Sequence, residues 1–112
     1  MKTKIITATA ILLAAAILNP AHAEVDEDAA KSLAKKNDCF KCHAVDKTKK
    51  GPAYKKIALK YKGKPEAEAA VIKQMTTGPR VKLEDGSEED HKIIDTQDQG
   101  QLKNLAQWIL SR

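Results

Sequence analysis

Apolar residues recur at helical spacing along most of the chain beyond residue 24. Residues 29–36 are rich in alanine and lysine, which favours a helix. Residues 53–61 place three large apolar or aromatic side chains three and four positions apart, which predicts a second helix. Residues 66–77 predict a third helix, closed by a Gly-Pro pair. No stretch has the alternation typical of a strand, so the pattern predicts an all-α fold.

A fourth helix is predicted at the end of the chain, running to about Ser111, with Asp95 or Thr96 as its N-cap. Its apolar face consists of Leu102, Leu105, Ala106, Trp108 and Ile109. Residues 80–95, by contrast, are polar and show no helical period. The sequence therefore predicts about four helices, with one long irregular loop before the last.

The first 23 residues have the features of an export signal. Lys2 and Lys4 precede an apolar run, and Ala21-His22-Ala23 ends it with a small-residue cleavage site. The apolar run is about 14 residues long, whereas a membrane-spanning helix needs about 20. We therefore predict a cleaved signal peptide at 1–23 rather than an uncleaved anchor, a single domain at 24–112, a periplasmic location and no stable membrane insertion.

Charge is unevenly distributed along a chain whose formal net charge is +5. Lysines dominate residues 31–64, whereas acids dominate residues 84–98, which predicts a basic lobe and an acidic lobe. Nucleic-acid binding is a poor interpretation of these lysines because the chain carries an export signal. Aromatic residues make up only 4% of the chain. Such a small, lysine-rich domain would bury a thin core unless it packed around a large apolar group.

The candidate chemistry lies in a C-x-x-C-H motif formed by Cys39, Cys42 and His43. Two thiols three positions apart lie on adjacent turns of a helical backbone, from which both can form thioether bonds to one haem. The next side chain, His43, is then held against the iron. These are the only two cysteines in the sequence.

Three other interpretations of the motif compete with haem attachment. A disulfide between Cys39 and Cys42 would close a small, strained ring. A redox-active C-x-x-C normally stands in a βαβ context, which this sequence lacks. A zinc site would need Cys39, Cys42, His43 and His91 together. Haem attachment is favoured because the motif is complete and the chain is exported.

The sequence resembles a class-I cytochrome c of the short bacterial c551/c552 type. The resemblance rests on the motif, on the segment Lys50-Gly51-Pro52-Ala53-Tyr54-Lys55 and on the terminal Leu105-Ala106-Gln107-Trp108-Ile109-Leu110. It implies one covalent haem c in a monomeric electron carrier rather than an enzyme. It also implies that the Pro52 carbonyl accepts a hydrogen bond from His43. The terminal helix is expected to cross the first, with Trp108 packed near the haem.

The second axial ligand is where this chain departs from the family, which has a methionine in the loop before the last helix. No methionine follows Met75, which we interpret as a haem-packing residue within the third helix. His91 occupies the expected loop, so we predict bis-histidine ligation by His43 and His91. The alternatives are an open or water-bound iron, Met75, Lys82 or Lys92.

The predicted function is a one-electron shuttle between periplasmic or membrane redox partners. Lysines near the motif could steer the protein to acidic partner surfaces, namely Lys41, Lys47, Lys49, Lys50 and Lys55. The alternative function is a binder or sensor of NO or CO, which requires His91 to be absent from the iron or easily displaced. A peroxidase is less well supported, because no arginine or glutamine is evident near a distal histidine.

Overall fold

The computed structural model describes residues 24–112, so the predicted signal peptide at 1–23 lies outside the described residues. The elements in chain order are the helices α1 (Glu27–Lys36), α2 (Cys39–Cys42), α3 (Tyr54–Tyr61) and α4 (Ala67–Thr77), the strands β1 (Arg80–Lys82) and β2 (Glu88–Asp90), and the helix α5 (Gln99–Leu110). Within this part of the chain, no helix is long and apolar enough to cross a membrane.

The helix α1 begins two residues before the predicted start, because Asp26 caps it. The Asp26 carboxylate accepts a hydrogen bond from the Ala29 backbone N–H at 2.9 Å. Glu27 and Asp28 lie in the first turn, and lysines occupy the last turn. Both charge distributions complement the helix dipole.

The helix α5 begins later than predicted. Its N-cap is Asp98, whose carboxylate accepts from the Gln101 backbone N–H at 2.8 Å. The expectation that Asp95 or Thr96 caps this helix is therefore wrong. The Thr96 hydroxyl instead accepts from the Asp98 backbone N–H at 3.2 Å, which shapes the turn leading into the helix.

The expectation of an irregular loop over residues 80–95 is also wrong in part, because β1 and β2 form an antiparallel hairpin. Arg80 stands opposite Asp90, and Lys82 stands opposite Glu88. The Arg80 guanidinium lies 3.4 Å from the Asp90 carboxylate. Opposite charges facing each other across two strands stabilise such a pair without an apolar face. The count of about four helices is likewise low, because the C-x-x-C-H motif forms a short helix of its own.

The core is built around α5, against which α1, α3 and α4 all pack. Leu102, Leu105, Ala106 and Trp108 of α5 are almost completely buried. The Trp108 ring meets aromatic rings edge-on, with centroids 5.6 Å from Tyr54 and 6.4 Å from Phe40. The few aromatic residues of this chain are thus concentrated where the helices meet.

Substitution of Leu105 tests the dependence of the fold on α5. Leu105 has 0% exposure, so Leu105→Ala removes buried methyl groups and leaves a cavity. We expect the free energy of unfolding to fall by about 2–5 kcal/mol in denaturant titrations. The control is Leu59→Ala, since Leu59 is 69% exposed. Its effect should stay within about 0.5 kcal/mol; equal losses in the two variants would contradict the assignment of the core.

Candidate functional site

A cavity of about 700 Å³ lies beside the core, with residues of α2, α3, α4 and the β1–β2 hairpin in its lining. The lining is mainly apolar, with Ile57, Val71 and Ile94 among its side chains. Both cysteines of the chain line it, as do His43 and His91. The residues predicted to carry the chemistry are therefore brought to one place.

The two thiols are presented by α2, a single turn of helix. Asp38 precedes this helix in the left-handed region, with φ 59° and ψ 21°. Cys39 and Cys42 are half-buried, and both are free thiols in the structure. At His43 the backbone leaves the helix, although its N–H still donates to the Cys39 carbonyl at 2.9 Å. Two thiols and an imidazole are thus held within five consecutive residues.

The His43 ring is fixed by neighbours that come from the following segment. Its Nδ1 lies 2.7 Å from the Pro52 carbonyl oxygen, so a protonated Nδ1 donates there and leaves Nε2 available as a ligand. A Cβ on Gly51 would lie 2.9 Å from His43 Cε1, so only glycine allows this approach. The Tyr54 ring stacks on the imidazole, with centroids 5.2 Å apart and planes 21° apart.

Burial sets the protonation states at this end of the cavity. Burial lowers the pKa of the His43 imidazole, against a smaller opposing effect of its hydrogen bond to the Pro52 carbonyl. The neutral ring, which can bind a metal ion, is therefore favoured. Burial also raises the pKa of the Cys39 thiol. Cys39 is thus held as a thiol rather than a thiolate.

His91 faces the same cavity from the segment after β2. Its ring centroid lies 6.2 Å from that of His43, and the two ring planes are inclined by 46°. His91 Nδ1 lies 2.9 Å from the Lys92 carbonyl oxygen, so here too a protonated Nδ1 leaves Nε2 free. The His91 backbone N–H donates to the Pro79 carbonyl at 2.9 Å.

Gly78 is the place where α4 and the His91 segment touch. This glycine ends α4 with φ +59°, a conformation that favours glycine. A Cβ added there would lie 2.9 Å from the His91 carbonyl oxygen and 2.8 Å from Ile93 Cγ1. Just beyond, the Ile94 backbone N–H donates to the Met75 carbonyl at 2.8 Å. The segment is therefore packed directly on the end of α4.

Asn37 is a residue that the sequence interpretation missed. It is only 2% exposed and lines the cavity two residues before the motif. Its side-chain oxygen accepts from the Asp95 backbone N–H at 2.8 Å, and its side-chain nitrogen donates to the Leu33 carbonyl at 3.0 Å. An asparagine at a helix end is ordinarily interpreted as a cap, and its partner 58 positions away gives no sequence signal.

The other predicted residues divide between the cavity, its mouth and the core. Met75 is 7% exposed and lines the cavity. Lys82 and Lys92 are exposed and lie at its edge. Trp108 lies in the core, outside the cavity lining, and its Nε1 has no hydrogen-bond partner in the described part of the chain. Among residues 24–112, no group of three or more His, Cys, Asp or Glu is arranged to hold a metal ion.

The predicted lysine face is partly neutralised by local contacts. Lys41 pairs with Asp38 at 3.3 Å, and Lys55 pairs with Asp46. The Lys49 ammonium donates to the Phe40 carbonyl at 2.6 Å. The predicted basic and acidic lobes also meet, because the Glu84 backbone N–H donates to the Lys50 carbonyl at 3.1 Å. The net positive field near the motif is thus smaller than the count of lysines predicts.

Comparison with known proteins decides the family. The family model described as "Cytochrome c" matches residues 27–112. The chain belongs to the cytochrome c family. It is 35% identical to "Cytochrome c-552" of Nitrosomonas europaea over 88% of each chain, and 32% identical to "Cytochrome c-551" of Pseudomonas aeruginosa over 71% of this chain and 73% of the relative.

Solved structures support the same assignment. The crystal structure of the class 1 cytochrome MtoD from Sideroxydans lithotrophicus ES-1 is 56% identical, with a TM-score of 0.76 over 79% of this chain and 97% of that one. Wild-type Nitrosomonas europaea cytochrome c552 gives a TM-score of 0.59 at 32% identity, over 72% of this chain and 96% of that one. The predicted cytochrome c fold is thereby confirmed.

Membership of the family establishes the cofactor of this cytochrome as haem c, bound covalently through Cys39 and Cys42. The structure fits this group on two independent grounds. The cavity has the size and the apolar lining of a cofactor site. Both half-buried thiols line it, together with the His43 imidazole, whose lowered pKa favours the neutral ring. These are the groups that a covalently attached haem requires.

Substitution of Gly78 tests whether the end of α4 positions the His91 segment. The matched control is Gly63→Ala, because Gly63 also has a positive φ but its added Cβ would meet nothing within 4 Å. We expect Gly63→Ala to cost only the left-handed strain, about 1–2 kcal/mol of unfolding free energy. Gly78→Ala should cost at least about 1 kcal/mol more and alter the haem absorption spectrum. Equal losses and unchanged spectra in both variants would contradict this packing.

Proposed function

We propose that this cytochrome is a one-electron carrier whose haem iron is bound by His43 and His91. The observation that carries the proposal is the 6.2 Å between the two ring centroids. A metal–imidazole bond would span about 2 Å on each side, and the two five-membered rings would account for the rest of the separation. The two rings are spaced for a single iron between them.

Hydrogen bonding supports the same ligand pair. Nδ1 of each histidine lies within hydrogen-bond distance of a backbone carbonyl, that of Pro52 for His43 and that of Lys92 for His91. Such a bond selects the tautomer in which Nε2 carries the lone pair and makes that nitrogen a better donor to a metal. The two histidines are thus matched in their Nδ1 contacts, and each has its Nε2 available as a ligand.

The role of carrier follows from what these residues do around the cofactor. Haem supplies an Fe(III)/Fe(II) couple, and imidazole in place of a thioether lowers its reduction potential. The buried side chains of the cavity exclude water, and the two histidines are held by backbone contacts on separate segments. Little of the protein has to rearrange when one electron is gained or lost, which suits repeated transfer.

Met75 supports the cofactor without binding the iron in this proposal. It is buried within α4, and its backbone carbonyl is engaged by the Ile94 N–H. Its flexible thioether side chain fills the apolar lining of the cavity. The ligand methionine of the family is therefore replaced by His91 rather than by the remaining methionine.

The cellular setting is also a proposal. The export signal predicted at 1–23 places residues 24–112 in the periplasm, where the protein would act as a monomer that exchanges electrons with transient partners. The steering surface consists of the lysines near the motif. Of these, Lys47, Lys49 and Lys50 have no ion-pair partner among residues 24–112, so no neighbouring carboxylate neutralises their charges directly.

Binding of NO or CO remains the alternative function. It requires an iron whose sixth position is open or easily opened. The contacts of the His91 segment argue against that, since backbone N–H groups at residues 91, 94 and 95 all have partners outside the segment. The electron carrier is therefore the better-supported function.

Replacement of His91 tests the ligand pair. We expect His91→Ala to convert a low-spin ferric haem into a high-spin one in absorption and EPR spectra, and to bind CO readily when reduced. We expect His91→Met to remain low-spin with a higher reduction potential, because a thioether favours Fe(II). Met75→Leu should stay low-spin. Low-spin spectra that persist unchanged in His91→Ala would refute the proposed ligation.

Inorganic oxidants of opposite charge test the lysine surface. At low salt we expect Lys47→Ala to slow oxidation of the reduced cytochrome by ferricyanide by about two- to threefold, because one unscreened positive charge near the motif is lost. Oxidation by a cationic cobalt(III) complex should not slow. Lys103→Ala, on the exposed side of α5, is the matched control. Rates with ferricyanide that are independent of added salt would contradict steering at this surface.

A further inference from the structure

We infer that Asn37 is a positioning residue for the distal ligand and controls how readily His91 leaves the iron. The inference rests on the proposed ligation by His91. It concerns a different question, namely what keeps that ligand in place.

The geometry shows a buried amide that joins the two sides of the cavity. Asn37 closes α1 directly before the haem-binding motif and is only 2% exposed. Its oxygen accepts from the Asp95 backbone N–H at 2.8 Å, and its nitrogen donates to the Leu33 carbonyl at 3.0 Å. Both ends of the side chain are thus used, one toward α1 and the other toward the segment that carries His91.

The other contacts that hold the His91 segment are backbone hydrogen bonds and exposed ion pairs. The His91 N–H donates to the carbonyl of Pro79, just after α4, and the Ile94 N–H donates to the carbonyl of Met75, within α4. The Lys92 ammonium lies 3.4 Å from the Asp38 carboxylate, and the Lys36 ammonium lies 3.7 Å from the Asp95 carboxylate. Both ion pairs are exposed and contribute little. Within the described chain, Asn37 therefore provides the buried side-chain hydrogen bond between the segment and the neighbourhood of the motif.

Loss of the Asn37 amide has a specific physical consequence. The Asp95 N–H would lose its partner at a part-buried position, where an unmade hydrogen bond is costly. The Leu33 carbonyl would still accept from the Asn37 backbone N–H at 3.1 Å. Separation of the segment from α1 relieves the cost at Asp95 because water then reaches its N–H. The substitution therefore favours the opened state, in which His91 is off the iron.

The test compares two asparagines, each of which accepts a hydrogen bond from a backbone N–H and donates one to a backbone carbonyl. Asn104 accepts from the Asp26 backbone N–H at 2.8 Å and donates to the Asp26 carbonyl at 2.8 Å, and it lies outside the cavity lining. Asn37→Leu and Asn104→Leu each remove two hydrogen bonds, but only the first touches the His91 segment. Asn37→Ala replaces Asn37→Leu if the larger side chain prevents folding.

The primary measurement is the rate at which cyanide binds to the ferric, haem-loaded protein, since cyanide must wait for the sixth position to open. We expect Asn37→Leu to accelerate binding by about tenfold, which corresponds to about 1.4 kcal/mol in the opening equilibrium. Asn104→Leu should bind cyanide at the wild-type rate. Hydrogen exchange at the Asp95 amide should accelerate in parallel.

Each contrary result has a distinct meaning. Equal acceleration by Asn37→Leu and Asn104→Leu would overturn the inference, because a general loss of stability would then explain both. No acceleration in Asn37→Leu, while His91→Ala becomes high-spin, would overturn the role of Asn37 and leave the proposed ligation intact. Rapid cyanide binding by the wild type, with no change in His91→Ala, would overturn the ligation and this inference with it.

Discussion

Attachment of the haem at Cys39 and Cys42 is the constraint to which the rest of the structure is adapted. These two thiols and His43 lie within one helical turn and the residue after it, so five consecutive residues present all three groups to the cofactor. Every other contact has to be brought to that point. The helices α3 and α4 and the hairpin supply apolar lining, and both helices pack on α5. A chain with few aromatic residues thereby acquires a sizeable core.

Features that depend on local sequence were predictable. The C-x-x-C-H spacing identifies the cofactor, and the apolar period predicts the long helices to within three residues. His91 was singled out because the loop before the last helix lacks a methionine. The hairpin was not predictable in the same way: its strands are three residues long, almost fully exposed and paired by opposite charges. Alternation of apolar residues, the signal by which strands are recognised, has no physical reason to be present there.

Features that depend on long-range contacts had no sequence signal. Gly51 and Gly78 look like ordinary loop glycines, yet each is required because a histidine atom lies within 3 Å of where a Cβ would be. At Gly51 that atom belongs to the His43 ring, and at Gly78 it is the His91 carbonyl oxygen. Asn37 looks like a helix cap, and its partner lies 58 residues away. Such constraints become visible only when the fold brings the segments together, because each residue is compatible with several local roles.

The two sides of the iron are unequal under the proposed ligation. His43 follows a covalently attached cysteine, and its Nδ1 is engaged by the Pro52 carbonyl on a different segment. His91 Nδ1 is engaged by the carbonyl of Lys92, its own neighbour, so the ring and its hydrogen-bond partner move together. Displacement of the distal segment therefore breaks the bonds to Pro79, Met75 and Asn37 but leaves the His91 tautomer unchanged. Ligand exchange is confined to the distal side, and the strength of those three contacts sets its rate.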